Sequence, residues 1–401
     1  MKPYLLMAAT LAVTGPVRAQ EIALKPLADL RLRYETVDQD GLAEQADAAT
    51  IRLRGGVQAS AGRLTALVEA QGTLALVEDY HDGLHGAATR PLVADPQNIA
   101  LYRAQIQYKA QAVTLTAGRQ RIALDDERFV GNVGFRQNAQ TFDAVRLEWT
   151  ALPGLKADLS YAWNVRTIWG VDGAGARPRS IDGDNLLANL SYATPLGTLT
   201  GFAYLVDQDE PAVQGQRLSS QTYGARLAGS RALSGAVKLG YTLSYARQSD
   251  YRHNPNRYGA DYWLADLTLD VKALRLNAGY EVLGTDDGLP FTSFQTPLGT
   301  NFKFQGWADK YLTTPPDGMR DLYLGAGSGW TKVGGLDAIS LQAAWHRFDS
   351  DRLDQHYGDE IDLMASAKAG RTTVSARFAR YRADSFATDT RKLWLQLDWA
   401  F

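Results

Sequence analysis

Residues 155–164 read LKADLSYAWN, and every second side chain in this stretch up to Trp163 is apolar. The intervening positions carry Lys156, Asp158, Ser160 and Asn164. A period of two is the spacing at which successive side chains of a β-strand point to opposite faces of a sheet. One apolar face and one polar face suit a strand that stands between lipid and water.

The same alternation recurs along the chain. Tyr102, Ala104, Ile106 and Tyr108 form the apolar phase of residues 102–109. Further examples lie at residues 30–35, 237–245, 274–282, 361–367 and 393–401. Beyond residue 20 no apolar run reaches the length of about 18 residues expected of a transmembrane helix.

Aromatic side chains favour a membrane barrel over a soluble β-protein. The chain has 19 Tyr and 9 Trp, and many of them fall on the apolar phase near the ends of the predicted strands: Trp149, Tyr161, Trp163, Tyr192, Tyr241, Tyr245 and Trp399. Tyr and Trp prefer the headgroup level of a bilayer, whereas a soluble sheet would bury Val, Ile, Leu and Phe.

The connections between the alternating segments are long and short in turn. Long ones lie near residues 37–49, 79–98, 123–140, 167–183, 208–219, 249–260, 284–319, 349–358 and 383–389, and short ones near 61–62, 110–112, 152–154, 195–197, 233–235, 272–273, 328–337 and 369–370. This pattern predicts an all-β, transmembrane antiparallel β-barrel of about 18 strands (16–18), with long extracellular loops and short periplasmic turns.

The N-terminus has the features of a secretory signal. Lys2 is followed by an apolar segment over residues 5–13 and by the small-x-small site Val17-Arg18-Ala19. We therefore expect a signal peptide over residues 1–19 and a single barrel domain over residues 20–401, located in the bacterial outer membrane. The terminal Phe401 on an aromatic strand predicts recognition by the outer-membrane assembly machinery.

Composition argues against several other functions. The net charge of −2 gives no reason to expect nucleic acid as a partner, and the chain has no Walker loop, no G-x-S-x-G and no H-E-x-x-H motif. His81 and His85 lie beside acidic residues, but in a predicted surface loop that offers no fixed geometry for zinc. We expect no metal, no cofactor and no enzyme activity, with a barrel enzyme or adhesin as the alternative.

Arginines dominate the polar phase of the first predicted strands. Guanidinium groups suit bidentate contacts with carboxylates, and rings of them in a water-filled pore favour anions. Each could instead form an ion pair within the wall. As a set, we predict that they line the pore: Arg31, Arg33, Arg52, Arg54, Arg103, Lys109 and Arg146.

Two segments resemble the alginate export family of outer-membrane porins. Residues 118–145 read GRQRIALDDERFVGNVGFRQNAQTFDAV, and residues 294–323 contain FQTPLG and GWADKYLTTPPDGMRDLY. The resemblance implies a monomeric barrel with an electropositive constriction that passes an anionic polysaccharide.

In the first of these segments, two arginines fall at positions that would face the lipid. Arg119 and Arg121 continue the apolar parity of Leu115 and Ala117. A bulge at Gly118 would turn both arginines inward, or else the strand has already left the hydrocarbon. We expect the following loop to fold into the lumen with Arg128 and Arg136, for which Asp125 and Asp126 are available as partners; an external loop held by local salt bridges is the alternative. The predicted pore lining therefore also includes Arg119, Arg121, Arg128 and Arg136.

The second segment lies in the longest connection, residues 284–319. Its aromatic residues argue against disorder, and connections of this length are usually functional. We predict a plug or lid over the pore that includes Phe294, Trp307, Asp309 and Lys310.

These features lead to a functional hypothesis with an alternative. The sequence favours an outer-membrane porin for passive, anion-selective passage of an acidic, alginate-like polysaccharide or oligosaccharide, in the export direction. The alternative is a general or uptake porin for small organic anions. A passive pore follows the gradient, so the residues themselves do not separate export from uptake.

Overall fold

The computed structural model describes residues 21–210 and 215–401, and most of them belong to β-strands. The predicted signal peptide, residues 1–19, lies outside the described part. The strands are β1 Ala23–Gln39, β2 Ala46–Ala61, β3 Leu64–Asp79, β4 Asn98–Lys109, β5 Val113–Gln120, β6 Thr141–Trp149, β7 Leu155–Arg166, β8 Ser180–Thr194, β9 Gly197–Val206, β10 Ser220–Ser234, β11 Val237–Asp250, β12 Gly259–Val271, β13 Leu274–Leu283, β14 Met319–Val333, β15 Leu336–Asp349, β16 His356–Ala369, β17 Thr372–Ala383 and β18 Thr390–Ala400.

The eighteen strands form one closed antiparallel sheet, in which each strand pairs with its neighbours in sequence. Closure comes from β1 and β18, whose register runs from Asp29 opposite Ala400 to Gln39 opposite Thr390. A closed sheet leaves no strand edge unpaired, which is the condition for β-structure in lipid. The predicted antiparallel barrel of about 18 strands is confirmed.

Helical structure is confined to short pieces in the described residues: α1, Gly215–Leu218, and a 3₁₀ turn, Asn301–Lys303. Across residues 21–210 and 215–401, no helix has the length and apolar character required to cross a membrane.

Apolar side chains cover the outside of the barrel. Leu159, Trp163 and Leu267 are exposed by 42%, 42% and 51%, although burial of such side chains would be favourable in water. Their neighbours on the polar phase, such as Ser160 and Asp158, are buried on the inner side. This distribution fits a wall whose outer face contacts acyl chains.

Tyr102 departs from the predicted phase. It was assigned to the outer face with Ala104 and Ile106, but only 5% of it is exposed. The register between β3 and β4 shifts at Glu69, leaving Tyr102 as an extra residue between two paired positions. This bulge turns the ring inward, where Arg54 lies 3.9 Å above its centroid.

The bulge considered at Gly118 is absent. Pairing of β5 with β4 and with β6 is continuous through this residue. Gly118 has a φ of +108°, and a Cβ atom there would collide with the carbonyl oxygen of Ala104, so the backbone conformation requires glycine. Arg119 therefore keeps the outer parity of Leu115.

Two long loops fold into the external half of the lumen: L3, residues 121–140, and L7, residues 284–318. Ile122 and Val130 of L3 and Phe294 and Leu298 of L7 belong to one buried apolar cluster with inward-facing wall residues. Backbone contacts join the loops directly, because Val130 and Leu298 form a parallel β-bridge and Gly131 N–H donates to the carbonyl of Leu298 at 2.9 Å. We call this unit the L3–L7 layer.

The orientation of β12 can be tested with two adjacent positions. Leu267→Arg places a charge on the lipid face and should lower the free energy of unfolding in lipid vesicles by about 2–4 kcal/mol, the cost of arginine near the bilayer midplane. Thr268→Arg, one residue further along and on the lumen side, is the matched control and should cost far less. Equal losses in the two variants would contradict the assignment of the faces.

Candidate functional site

Five arginines form a basic patch on adjoining strands of the inner wall: Arg31, Arg33, Arg52, Arg54 and Arg377. Arg31 lies directly opposite Arg52 in the register of β1 and β2. Such like-charged pairs are unfavourable without counterions. Wall carboxylates supply part of the compensation, since Arg31 binds Asp398 at 2.7 Å and Arg52 binds Asp29 at 2.5 Å.

Loop L3 covers this patch with its backbone. Arg31 Nη1 donates to the carbonyl oxygens of Gly134 and Phe135 at 3.0 and 2.8 Å, and Arg33 Nη2 donates to that of Phe135 at 2.5 Å. The Phe135 ring lies 4.2 Å from the guanidinium carbon of Arg33. Loop carbonyls thus occupy donors that could bind the oxygen atoms of an anionic solute.

Other donors of the patch have no hydrogen-bond partner. They are Nε and Nη1 of Arg52 and Nη2 of Arg54, all buried. Arg377 forms no ion pair among the described residues; its guanidinium lies 5.0 Å from the Phe135 ring and 5.2 Å from the Trp307 ring. The patch therefore keeps an excess of positive charge.

Arg136 links L3, the wall and L7. It contacts Glu35 of β1 at 3.3 Å, Asp95 at 3.8 Å and Asp309 of L7 at 2.7 Å. Burial opposes the charge on this guanidinium, but Glu35, Asp309 and Asp95 raise the pKa of Arg136 above its usual value. Burial likewise opposes ionisation of Asp309, yet Lys392 and Arg136 lower its pKa. This buried network holds the layer against β1.

Arg128 anchors the other end of L3 to β13. Its Nε donates to Glu281 at 2.7 Å, and both side chains are almost fully buried. The predicted pairing of the loop arginines with the side chains of Asp125 and Asp126 is wrong. Those carboxylates accept instead from Asn189 at 2.8 Å and from Arg226 at 2.9 Å. Long-range contacts across the lumen replace the local salt bridges that the sequence suggested.

An acidic arc adjoins the basic patch on β12, β13, β14 and β16. Its members are Asp266, Glu281, Asp321, Glu360 and Asp362. Glu360 accepts from the backbone N–H groups of Trp307 and Ala308 at 2.5 and 2.7 Å. His346 Nδ1 lies 3.0 Å from Asp321, and both oxygens of Asp362 lack a hydrogen-bond donor. The lumen thus carries opposite charges on neighbouring arcs.

Two cavities share Trp307 in their lining. The one facing the layer, about 370 Å³, is lined by Asp126, Arg226, Lys303 and four members of the acidic arc: Asp266, Glu281, Asp321 and Asp362. The other, about 640 Å³, extends along the periplasmic ends of β13, β14 and β15. Asn277, Trp307 and Ala344 line both. Trp307 therefore lies where the two cavities adjoin, with the guanidinium group of Arg377 5.2 Å from its ring, and we call the two cavities together the route.

The residues assigned to a plug lie within L7. Phe294 is fully buried in the apolar cluster, where its ring lies 5.8 Å from that of Phe129. Asp309 binds Arg136 and Lys392, both at 2.7 Å. Lys310 Nζ donates to Gln39 at 3.2 Å. Burial and the nearby Lys392 lower the pKa of Lys310 to about 8.

Two more predicted lining residues face the lumen as paired side chains. Arg103 binds Glu69 at 2.7 Å across β4 and β3, and Arg146 binds Asp158 at 2.6 Å across β6 and β7. Each pair links adjacent strands, in line with the alternative of ion pairs within the wall.

Lys109, Arg119 and Arg121 lie away from the L3–L7 layer. Lys109 is the last residue of β4, exposed beside a periplasmic turn. Arg119 has outer parity and binds Asp143 at 2.7 Å, so the first alternative, a bulge that turns it inward, is wrong. Arg121 is exposed where β5 has ended. None of the three belongs to the basic patch, and that Lys109 and Arg121 line the pore stays a prediction.

The histidine pair does not converge on a common point. His81 Nδ1 lies 2.9 Å from the carbonyl oxygen of His85, and the His85 side chain is 71% exposed beside Asp82. Among the described residues, another group brings three ligand atoms within 4.8 Å of one another: Asp207, Asp209 and His253. Arg252 lies 3.6 Å from Asp207 and supplies a counterion there.

Several residues of the site were missed at the sequence level. Glu35, Glu281 and Asp362 lie on the polar phase of alternating segments, so the parity rule that selected the arginines would also have selected them. Arg377 and Lys392 follow the same rule on the last strands. Parity gives the face of a strand but not the height of a residue along the barrel axis.

The closed barrel and its apolar exterior define a transmembrane β-barrel of the bacterial outer membrane, with two loops folded into its lumen. Solved structures share this fold. OccAB4 of Acinetobacter baumannii has a TM-score of 0.71 at 12% identity, with 96% of this chain and 99% of that chain covered. OpdK and OpdL of Pseudomonas aeruginosa have TM-scores of 0.69 and 0.67 at 14% and 17% identity, with 94% of this chain and 98% of each of theirs covered.

The sequence also matches the model of the alginate export family over residues 25–184. This match confirms the resemblance seen in residues 118–145 and covers β1 to β7 with loop L3. The second resembling segment, residues 294–323, lies outside it. A search of curated proteins finds no significant match.

Removing the guanidinium of Arg136 should loosen the layer. Arg136→Ala leaves Glu35, Asp95 and Asp309 without this counterion, and breaking a buried ion pair costs about 3–5 kcal/mol. We expect faster amide hydrogen exchange in L3 and L7, with the strands unchanged. Arg121→Ala, an exposed arginine of the same loop, is the control and should exchange like the wild type. Unchanged protection in Arg136→Ala would show that the network does not hold the layer.

Lys310 should make the stability depend on pH in the alkaline range. Its pKa is lower in the folded protein, about 8, than in the unfolded chain. At a pH between the two pKa values of Lys310, the unfolded state binds more protons than the folded state. The free energy of unfolding should therefore increase as the pH rises from about 8 to about 10. Denaturant titrations in detergent should show this gain in the wild type and in Lys303→Met but not in Lys310→Met. A gain that persists in Lys310→Met would exclude this lysine as its source.

Proposed function

We propose that this chain is a passive porin for small acidic solutes, meaning sugar acids and related organic acids that carry a carboxylate beside hydroxyl groups. The observation that carries the proposal is Arg377, an arginine of the basic patch that forms no ion pair among the described residues and lies 5.2 Å from the ring of Trp307, which lines the route. Arginine binds carboxylates through two parallel hydrogen bonds, and clusters of arginine in a pore attract anions.

Aromatic rings beside the patch suit the same solutes. Arg377 lies between the rings of Phe135 and Trp307, and Trp307 lines both cavities of the route. When the carboxylate of a sugar acid binds Arg377, the sugar ring would lie against the ring of Trp307. The acidic arc supplies acceptors for the hydroxyl groups on the other side of the route.

We propose a channel rather than an enzyme, because the charged groups of the lumen form ion pairs that tie strands and loops together. Arg136, Arg128 and Arg146 each bind carboxylates from another strand or loop. Such pairs fix the shape and the charge of the lumen. Transport through this lumen would follow the concentration gradient, inward for a nutrient.

Export of an acidic polysaccharide is the second candidate. It is favoured by the alginate export match, because residues 25–184 include four of the five arginines of the basic patch and all of L3. Against it stands the L3–L7 layer, which fills the external half of the lumen with buried apolar side chains. A threaded polymer would have to displace this layer, whereas a single sugar acid needs only the route along the acidic arc.

A substitution of Arg377 tests the proposed selectivity for acidic solutes. Arg377→Gln removes a positive charge without leaving a paired carboxylate behind. In planar bilayers, we expect the reversal potential in a salt gradient to shift toward cations. Glucuronate should block the current about tenfold more weakly, since a hydrogen bond to a charged group contributes about 1.5–3 kcal/mol.

Lys109→Gln, an exposed lysine at the periplasmic end, is the matched control and should keep the wild-type block. Reversible block by glucuronate that disappears with longer oligouronates would support small solutes. Block that strengthens with each added uronate would favour the polysaccharide. A wild-type channel that prefers cations and ignores glucuronate would overturn both candidates.

A further inference from the structure

The barrel wall has a gap on its external side between β4 and β7. β5 and β6 contain 8 and 9 residues, against 16 in β3 and 15 in β8. β4 pairs with β5 only from Ala104 to Lys109. The outer part of β4 thus has no strand neighbour on this side. Loop L4, residues 167–179, crosses the gap, and Val171 N–H donates to Asn98 of β4 at 2.9 Å.

A cavity of about 80 Å³ lies within this gap, and three arginines line it. Arg119 comes from β5, Arg166 from the end of β7 and Arg179 from the end of L4. Gln71 and Asn138 line it from the lumen side. The three arginines thus face the same small space.

The charges in this cavity are not balanced. Asp143 is bound by Arg119 through two hydrogen bonds of 2.7 and 2.8 Å, and the remaining nitrogen of Arg119 donates to the carbonyl of Leu101 at 3.1 Å. Arg166 Nε is enclosed without a hydrogen-bond partner, 3.6 Å from Asp143. Arg179 forms no ion pair within residues 21–210 and 215–401.

We propose that this cavity, which we call the wall-gap site, binds a phosphate group through Arg166 and Arg179, with Arg119 and Asp143 fixing the frame. Guanidinium groups bind phosphate oxygens in bidentate geometry. A cavity of this size accepts one such group and no larger molecule. The site is separate from the route at Trp307 and does not depend on the proposed solute.

The surroundings point to a phosphorylated lipid of the outer leaflet as the source of that group. Ile99, Leu101, Trp163 and Val171 flank the gap and are exposed by 80%, 45%, 42% and 47%. Acyl chains can lie against these side chains while the headgroup phosphate reaches the arginines. An inorganic phosphate ion carries the same chemistry without the acyl chains, so experiment must separate the two sources.

The test uses purified full-length barrel in detergent, with binding of bisphosphorylated lipid A measured by native mass spectrometry. In the double variant Arg166→Gln/Arg179→Gln, we expect binding weaker by about tenfold or more, because charge-assisted hydrogen bonds are lost. Arg382→Gln, an exposed arginine at the external end of β17, is the matched control and should bind like the wild type. Heat-modifiable migration in electrophoresis verifies that each variant is folded.

The choice of probes separates the outcomes. Lipid A stripped of phosphate should bind the wild type as weakly as intact lipid A binds the double variant. If inorganic phosphate binds the wild type but not the double variant, and lipid A binds no more tightly than phosphate, the wall-gap site binds a free anion and not a lipid. Equal binding of intact lipid A by the wild type and the double variant would overturn the proposal, and the Arg377 measurements would be unaffected.

Discussion

The structure depends on one constraint, that every backbone N–H and C=O group within the bilayer must find its partner inside the protein. β1 and β18 meet that constraint when they close the sheet, from Asp29 opposite Ala400 to Gln39 opposite Thr390. Once the sheet is closed, the period of two assigns each side chain either to lipid or to the lumen. Leu267 and Thr268 illustrate how one step along a strand changes the environment.

Closure creates a second requirement, because the external half of the lumen holds inward-facing charges that need partners. Loops L3 and L7 supply them, through Arg136 with Glu35 and Asp309, and through Arg128 with Glu281. Buried ion pairs seldom add much net stability. Their effect here is to fix which loop contacts which strand, and so to define the route that remains open beside Trp307.

The sequence predicted the wall well and the site only in part. Alternation in residues 155–164 and the order of long and short connections were sufficient for the barrel, since both follow from local physics. Tyr102 was misassigned because a bulge adds one residue and reverses the phase. Asp125 and Asp126 were misassigned because the shortest contacts of Arg128 and Arg136 are with Glu281 and Asp309, which lie 153 and 173 positions away in sequence. No local pattern encodes a contact of that kind.

The positions of Arg119 and Arg52 show why charge alone does not identify a pore lining. Both are arginines of the first five strands, yet Arg52 of β2 is buried in the lumen, and Arg119 of β5 lies in the wall beside Asp143. The two environments differ because the strands differ in length. Where β5 and β6 are short, a side chain on the outer face contacts a loop and not lipid. Strand length therefore determines where this barrel can place charge outside its lumen, and the gap between β4 and β7 is where it does so.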